Sequence, residues 1–296
     1  MIVVTTPTGQ IGRQVLDLLL AADGDEPIRV VLRDPSRLSP QVRDRVEVVP
    51  GSHGDLDVLD QAFKGAESVF WLVPPDPHAS SVEAAYLDFT RPATKAFRSQ
   101  GVRRVVGISA LGRGTPLAGR AGLVTASLAT DDLIAGSGVS YRALIMPSFM
   151  DNLLRQVEPI RNQGLFFSPI SADRAAPTCA SRDIAAAAAR LLLDHSWSGV
   201  GSVPVLGPED LSFTEMARIM SEVLGKTVRF QQIPVESFKA TLTGRGMSEA
   251  MASATVEMMV AKDNGLDNGE PRTAQASSPT SFREWCESVL KPAVLA

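Results

Sequence analysis

Val4-Thr5-Thr6-Pro7-Thr8-Gly9-Gln10-Ile11-Gly12 decides the fold of this chain. Before it, Ile2-Val3-Val4-Thr5 is a short β-branched run of the kind that fills a strand buried on both faces. After it, Ile11, Val15, Leu18 and Leu19 recur at helical spacing. A strand, a tight Gly turn and a helix at the start of a βα unit make a place where backbone approaches a pyrophosphate. The N-terminal N–H groups of the helix then face its negative charge. Gly9 permits the approach and Gly12 lets the helix pack on the strand; Thr6 stands where the first glycine of the usual run would be.

Outward from this turn the pattern alternates. Strands are expected at Ile28 to Leu32, Val46 to Val49, Val69 to Val73, Val102 to Ser109 and Tyr141 to Met146. Leu56, Leu59 and Phe63 mark one intervening helix. A longer one from Ser81 to Gln100 should kink or split at Pro92, and another runs from Leu123 to Ala135. Strands separated by helices of this length build a parallel sheet through right-handed crossovers. The fold class is therefore α/β, a Rossmann-type doubly wound parallel sheet over 1–150, with a smaller α+β C-terminal lobe over 151–296. The two lobes share one cleft, and C-terminal strands remain available to the sheet.

In the second half, helices are expected at Asp151 to Asn162, Ser181 to Asp194 and Thr214 to Leu224, the last opened by the capping box Ser212-Phe213-Thr214-Glu215. Val203 to Leu206 and Thr227 to Ile233 read as strands, Pro234 opens a helix, and Phe282 to Leu290 is a helix. Lys262 to Ser278, rich in Asn, Gly, Ser, Asp and Pro, reads as a mobile surface loop.

Composition narrows the function. The chain has 296 residues, 44% hydrophobic and 21% charged, with a formal net charge of -4 and a pI near 5.5. It has no Lys/Arg-rich run, which argues against nucleic acid. Cys179 and Cys286 have no paired spacing, which suits a reducing cytoplasm. His53, His78 and His195 are scattered, and no metal is expected. Met1 runs straight into Ile2 without a basic leader, so no signal peptide is expected. The apolar run Ile184 to Leu193 is too short to span a bilayer and is broken by Arg190.

The second strand ends in Leu32-Arg33-Asp34, with Arg37 beyond. An acidic residue here grips the ribose hydroxyls of NAD, whereas an arginine accommodates the 2′-phosphate of NADP. Arg33 favours NADP(H), and Asp34 keeps NAD(H) as the alternative.

These motifs, with Gly54-Asp55-Leu56-Asp57, Phe70 to Pro75, Gly101 to Ser109, Pro147 to Asn152, Ser181 to Ala186 and Gly207-Pro208-Glu209, follow an order over nearly the whole chain. That order resembles the NmrA-like family of the atypical short-chain dehydrogenase/reductase superfamily. Carried over by position, the resemblance implies that Thr6, Thr8, Gly9, Gln10 and Ile11 hold the pyrophosphate and Arg33 the adenosine phosphate. It places Asp55 and Leu56 at the adenine, and Pro74 and Ser109 beside the nicotinamide. Many relatives in the superfamily use a Tyr-x-x-x-Lys pair on the helix after the fifth strand. Here Leu123 and Ser127 stand at those positions, and the helix has no Tyr or Lys. No catalytic acid is assigned.

Trp71, Phe149, Met150 and Asn152 are candidates for the substrate pocket, joined by Phe166 and Phe167. Asp151 either reaches the cleft or caps a helix. Met247, Met251, Met258 and Met259 lie at helical spacing; core filling is the preferred reading, with a pliable cover over a flat ligand as the alternative. Tyr141 reads as packing.

The leading expectation is an NADP(H)-binding oxidoreductase acting on an apolar quinone, enone or polyketide-like compound in the inter-lobe cleft, as a monomer or homodimer. The alternatives are a non-catalytic NADP(H) redox sensor regulating a protein partner, and a non-redox or coupling tailoring enzyme on the same fold.

Overall fold

The computed structural model describes residues 1–22, 24 and 26–296. The first half supplies β1 (Ile2–Thr5), β2 (Ile28–Leu32), β3 (Glu47–Pro50), β4 (Ser68–Trp71), β5 (Arg104–Ala110) and β6 (Ser140–Met146). The second half adds β7 (Ser148–Phe149), β8 (Leu165–Ser168), β9 (Ala176–Cys179), β10 (Val200–Pro204), β11 (Asp210–Leu211) and β12 (Arg229–Gln232). Seven strands join one sheet in the order β10-β6-β5-β4-β1-β2-β3, and every neighbouring pair in it is parallel. The order reverses between β1 and β4, and a crevice opens outside the strand ends at such a switch point.

The helices are α1 (Gln10–Ala21), α2 (Pro40–Arg43), α3 (Leu56–Phe63), α4 (Phe89–Ser99), α5 (Leu123–Ala135), α6 (Val157–Gln163), α7 (Ser181–Leu193), α8 (Phe213–Leu224), α9 (Val235–Gly244), α10 (Glu249–Asp263), α11 (Phe282–Trp285) and α12 (Lys291–Leu295). The period of two in β1 sorts its side chains between two cores. Ile2 and Val4 pack with Val15 of α1 and Ile184 of α7 on one face. Val3 packs with Phe63 of α3, Phe97 of α4 and Ile134 of α5 on the other. A third core, around Phe166, Met220, Phe282 and Trp285, belongs to the C-terminal lobe.

The sheet does not end at residue 150. α7 packs on α1 and β10 adds a seventh strand beside β6, so part of the second half completes the first lobe. The segment 262–278 is also not a free loop. Leu266, Asp267 and Ala276 are buried, and Leu206 exchanges backbone hydrogen bonds with Ala276 and Ser278. Its polar composition concealed the few groups that pin it.

Pro92 lies inside α4 and does not break the helix there; the irregularity it demands falls one turn earlier. A π-helical turn over Ala84–Asp88 precedes α4, where the proline ring would crowd the carbonyl of Asp88 four residues back. A second π-helical turn, Cys286–Leu290, ends two residues before Pro292, whose ring would crowd the carbonyl of Ser288. Asp151 to Asn162 is divided into a 3₁₀ segment Met150–Gln156 and α6, with Pro159 near the junction. The capping box of α8 is present in both directions, Ser212 Oγ accepting from Glu215 N and Glu215 Oε2 from Ser212 N.

Candidate active site

A cleft of about 2610 Å³ runs along the C-terminal ends of the strands and continues under the second lobe. At its centre is the turn between β1 and α1. Gly9 N donates to Thr6 O at 2.9 Å and closes the turn. Thr6 is the only non-glycine residue with positive φ among the described residues, at 54°, so a threonine holds the left-handed conformation that glycine adopts freely. A Cβ on Gly12 would stand 2.1 Å from Thr6 O, against 3.3 Å for one on Gly9. Gly12 is therefore required by the turn itself, whereas Gly9 keeps the outer face of the turn open.

The N-terminus of α1 has no side-chain cap, and Gly9, Gln10 and Ile11 line the cleft with Thr6 and Thr8. Thr6 Oγ1 is buried without a hydrogen-bond partner. Uncapped N–H groups and an orphaned hydroxyl around an open cradle fit a dinucleotide pyrophosphate. The Gln10 side chain does other work: its amide donates to Asp151 Oδ1 at 2.8 Å, and Asp151 Oδ2 accepts from Ser181 N at 2.8 Å. Asp151 thus ties the turn to the start of α7, which settles its role as a structural clamp.

Beyond the end of β2, Asp34 accepts from Ser36 N at 3.0 Å and from Ser36 Oγ at 2.6 Å. The Ser36 side-chain bond, then the backbone bond, holds its carboxyl below the usual range. Arg33 and Arg37 line the cleft, and neither guanidinium is in an ion pair or side-chain hydrogen bond among the described residues. Gly51, Ser52 and His53 form the lip beside them. Asp55 and Leu56 do not: Asp55 sits at the N-cap of α3, both side chains are exposed, and neither lines the cleft. β3 ends at Pro50, so the residues at its mouth come three to four positions earlier than the motif implied.

His53 points Nε2 at Leu72 O, 3.0 Å away, and meets Trp71 and Phe89 edge-on at 5.3 and 4.9 Å. Burial brings its pKa down to about 4, so the ring is neutral and donates from Nε2 to the carbonyl.

Pro74, Ser109, Leu123 and Ser127 all line the cleft. The Ser109 hydroxyl lies 2.5 Å from Asp131 Oδ2, and the Tyr141 hydroxyl donates to Asp131 Oδ1 at 2.7 Å. Tyr141 is thus packed, and it also serves a buried carboxyl. Tyr86, in the π-helical turn, lines the opposite wall; burial pushes its phenol up to about 12. Read from the sequence, Tyr86 has no catalytic role and Asp131 no role at all. The signal for Tyr86 is Pro92, which forces the preceding turn out of α-helical register; for Asp131 it is a carboxylate among the apolar positions of α5.

Of the pocket candidates, Phe149, Met150 and Asn152 line the cleft, as does Phe167. Trp71 does not. It is 2% exposed and packs against Phe97 with ring centroids 6.0 Å apart, because it shares the face of β4 with Val69 and the cleft begins at Leu72. Phe166 is fully buried in the C-terminal core. Met247, Met251, Met258 and Met259 all line the cleft; Met251 is also buried in the core and Met258 packs against the cluster around Leu128 and Leu266, so the methionine face serves core and cleft together. At its far end Lys262 Nζ lies 2.5 Å from Asp267 Oδ2 in a buried pair, and Asp267 Oδ1 has no partner.

Elsewhere, both cysteines are buried and unpaired, and burial raises both thiols. His195 lies 3.2 Å from both Glu26 and Glu67, a grouping able to hold a cation. Glu67 also pairs with Arg104, at the start of β5, so the group lies at the far end of the sheet from the cleft. Among the described residues no helix is long and apolar enough to cross a membrane.

A model of the NAD(P)H-binding family matches residues 7–195, and one of the NmrA-like family matches residues 134–286. The chain is 30% identical over 290 residues to the (4-alkanoyl-5-oxo-2,5-dihydrofuran-3-yl)methyl phosphate reductase of Streptomyces griseus, covering 96% of each. It is 29% identical to the NAD(P)H azoreductase of Xenophilus azovorans, over 87% of this chain and 86% of the other. The crystal structure of the Citrobacter sp. triphenylmethane reductase complexed with NADP(H) superposes with a TM-score of 0.79 at 22% identity, covering 99% of each chain. With a nucleotide cradle at its first βα turn and the full strand order of a dinucleotide fold, the chain belongs to the NmrA-like family of NAD(P)H-binding Rossmann proteins.

Proposed function

We propose that this protein is an NADP(H)-dependent oxidoreductase that reduces an apolar, conjugated acceptor such as a quinone, enone or polyketide-like compound. The observation that carries the reading is the continuity of one cleft, from Arg33 and Arg37 at one end to the methionines of α10 at the other. Nucleotide and acceptor would meet at Ser109. Free guanidiniums beside an Asp34 already engaged by Ser36 favour a 2′-phosphate over bare ribose hydroxyls. Relatives named as a furanylmethyl phosphate reductase, an azoreductase and a triphenylmethane reductase support reduction as the chemistry.

Thr6, Thr8, Gly9, Gln10 and Ile11 would hold the pyrophosphate, Arg33 and Arg37 the 2′-phosphate, and Gly51 to His53 the adenine. Pro74 and Ser109 would flank the nicotinamide. NADPH, when bound, supplies a hydride. The chain's part is to orient a flat acceptor between Phe149, Phe167 and the methionines, where soft side chains adapt to its shape, and to keep bulk water from the reacting faces. No Tyr-x-x-x-Lys pair takes part: Leu123 and Ser127 occupy its place on the cleft face of α5.

Calorimetric titration with NADPH, NADP⁺, NADH and NAD⁺ tests the nucleotide half of this reading. NADPH and NADP⁺, which carry the 2′-phosphate, should bind at least ten-fold more tightly than NADH and NAD⁺. Equal affinity for all four would remove the role given to Arg33 and Arg37.

A further inference from the structure

Asp131 lies behind Ser109, on the side away from the cleft, and is 5% exposed. It is reached by two hydroxyls, Ser109 from β5 and Tyr141 from β6. β5 makes room for this: a Cβ on Gly107 would stand 2.3 Å from the Tyr141 hydroxyl oxygen, so the glycine lets the phenol lie across the strand. Glycine in a strand interior weakens it unless another group needs the space. A carboxyl accepts from both hydroxyls and, once protonated, donates to one of them, whereas an asparagine would accept from only one. Burial of the charged form is costly, which favours the protonated carboxyl.

We propose that Asp131 is a proton reservoir that supplies the reduced acceptor through the Ser109 hydroxyl. The inference rests on the reductase reading above. As the acceptor gains hydride, a C–H bond forms at its conjugated carbon, the π pair moves to the carbonyl oxygen, and the nicotinamide is left oxidised. The oxygen takes the proton of Ser109 Oγ as Ser109 takes the proton of Asp131, leaving an enol and an Asp131 carboxylate. The enol formed from a quinone is a tautomer of the hydroquinone and becomes it by moving the added C–H proton to the second carbonyl oxygen. Water reprotonates the carboxylate between turnovers. Asp131 touches neither acceptor nor nucleotide and acts through Ser109.

The charged groups acting on Asp131 are few. Burial raises its pKa to about 6, the hydrogen bonds from Ser109 and Tyr141 and the charge of Arg113 lower it, and Asp132 raises it. Arg113 lies 3.7 Å from Asp131 and 3.0 Å from Asp132, so its charge is shared.

The test is the pH profile of kcat with menadione for the wild type, Asp131→Asn and Tyr141→Phe, with a carbon-13 titration of the Asp carboxyls run alongside and needing no turnover. Wild-type kcat should fall about tenfold per pH unit above pH ~6, until water becomes the donor. Tyr141→Phe removes a donor to the carboxylate and should move that fall to higher pH. Asp131→Asn should flatten the profile and lower kcat in acid at least tenfold, with NADPH affinity unchanged. The carbon-13 spectrum should show one carboxyl titrating near pH ~6, shifted upward in Tyr141→Phe. A wild-type rate and profile in Asp131→Asn would overturn the proposal. So would an unmoved profile in Tyr141→Phe, which decides the matter if the asparagine variant does not fold. Absence of any NADPH oxidation by the wild type would remove the reductase reading and the reservoir with it; the two failures differ because in the first the wild type turns over.

Discussion

Arg33 has nothing to hold among the described residues, and Asp34 beside it is already engaged by Ser36. Removing the guanidinium in Arg33→Ala should weaken NADPH by roughly 1.5–3 kcal/mol, the worth of a charge-assisted hydrogen bond. That is about ten-fold to over a hundred-fold in affinity, and NADH should be nearly unaffected. Equal losses for both, measured by calorimetry, would place Arg33 on a part the two nucleotides share. Asp131 gives a second prediction at this scale. Its folded pKa of about 6 lies above the ordinary 3.8, so the folded state holds this proton more tightly than the unfolded chain. The stability it contributes is complete below pH ~4 and lost as pH rises through ~6, for a total of about 3 kcal/mol. Asp131→Asn should therefore raise Tm at pH ~8 by more than it does at pH ~5. An equal change at both, by thermal denaturation, would show that the carboxyl is not destabilised by burial.

The turn between β1 and α1 is the element on which the site depends, and its two glycines differ in what they require. Gly12→Ala drives a methyl into the Thr6 carbonyl, a backbone atom that cannot swing away, and should destabilise the fold itself. Gly9→Val should leave a folded chain that no longer binds nucleotide, since its side chain points to the space a phosphate would take. Circular dichroism and calorimetry on the two variants separate these outcomes; unchanged nucleotide affinity in a folded Gly9→Val would move the site elsewhere. The six strands of the first half and most helices were legible from period and turn residues, the inner strands because burial on both faces of a parallel sheet leaves unbroken apolar runs. β10, an exposed edge strand of sequence Val-Gly-Ser-Val-Pro, was met only at its last two residues. Residues beyond strand ends were less so. Asp55 and Leu56 were placed at the adenine although β3 stops at Pro50. Trp71 was placed in the pocket although the parity of β4 turns it into the core. A shift of one residue in a strand changes the face, and local composition does not record where a strand stops.

For the molecule as a whole, function depends on two lobes sharing one wall. The clamp from Gln10 through Asp151 to α7 is a long-range feature, invisible to spacing because its partners are far apart in sequence; spacing shows the methionine face of α10 but not that it lines the cleft. Phe149→Ala should raise KM for an apolar acceptor while leaving NADPH affinity intact, since Phe149 lines the cleft outside the nucleotide turn; a loss of NADPH affinity instead would put Phe149 on the nucleotide. The central claim is that nucleotide and acceptor react in this cleft. Anaerobic single-turnover mixing of NADPH-loaded protein with menadione, followed by the loss of reduced-nicotinamide absorbance, tests it most directly. The account predicts one quinol formed for each NADPH oxidised, on a timescale the free reactants do not match. Tight NADPH binding with no oxidation by menadione or any other quinone or enone would contradict it and leave a protein that binds the nucleotide without using its hydride.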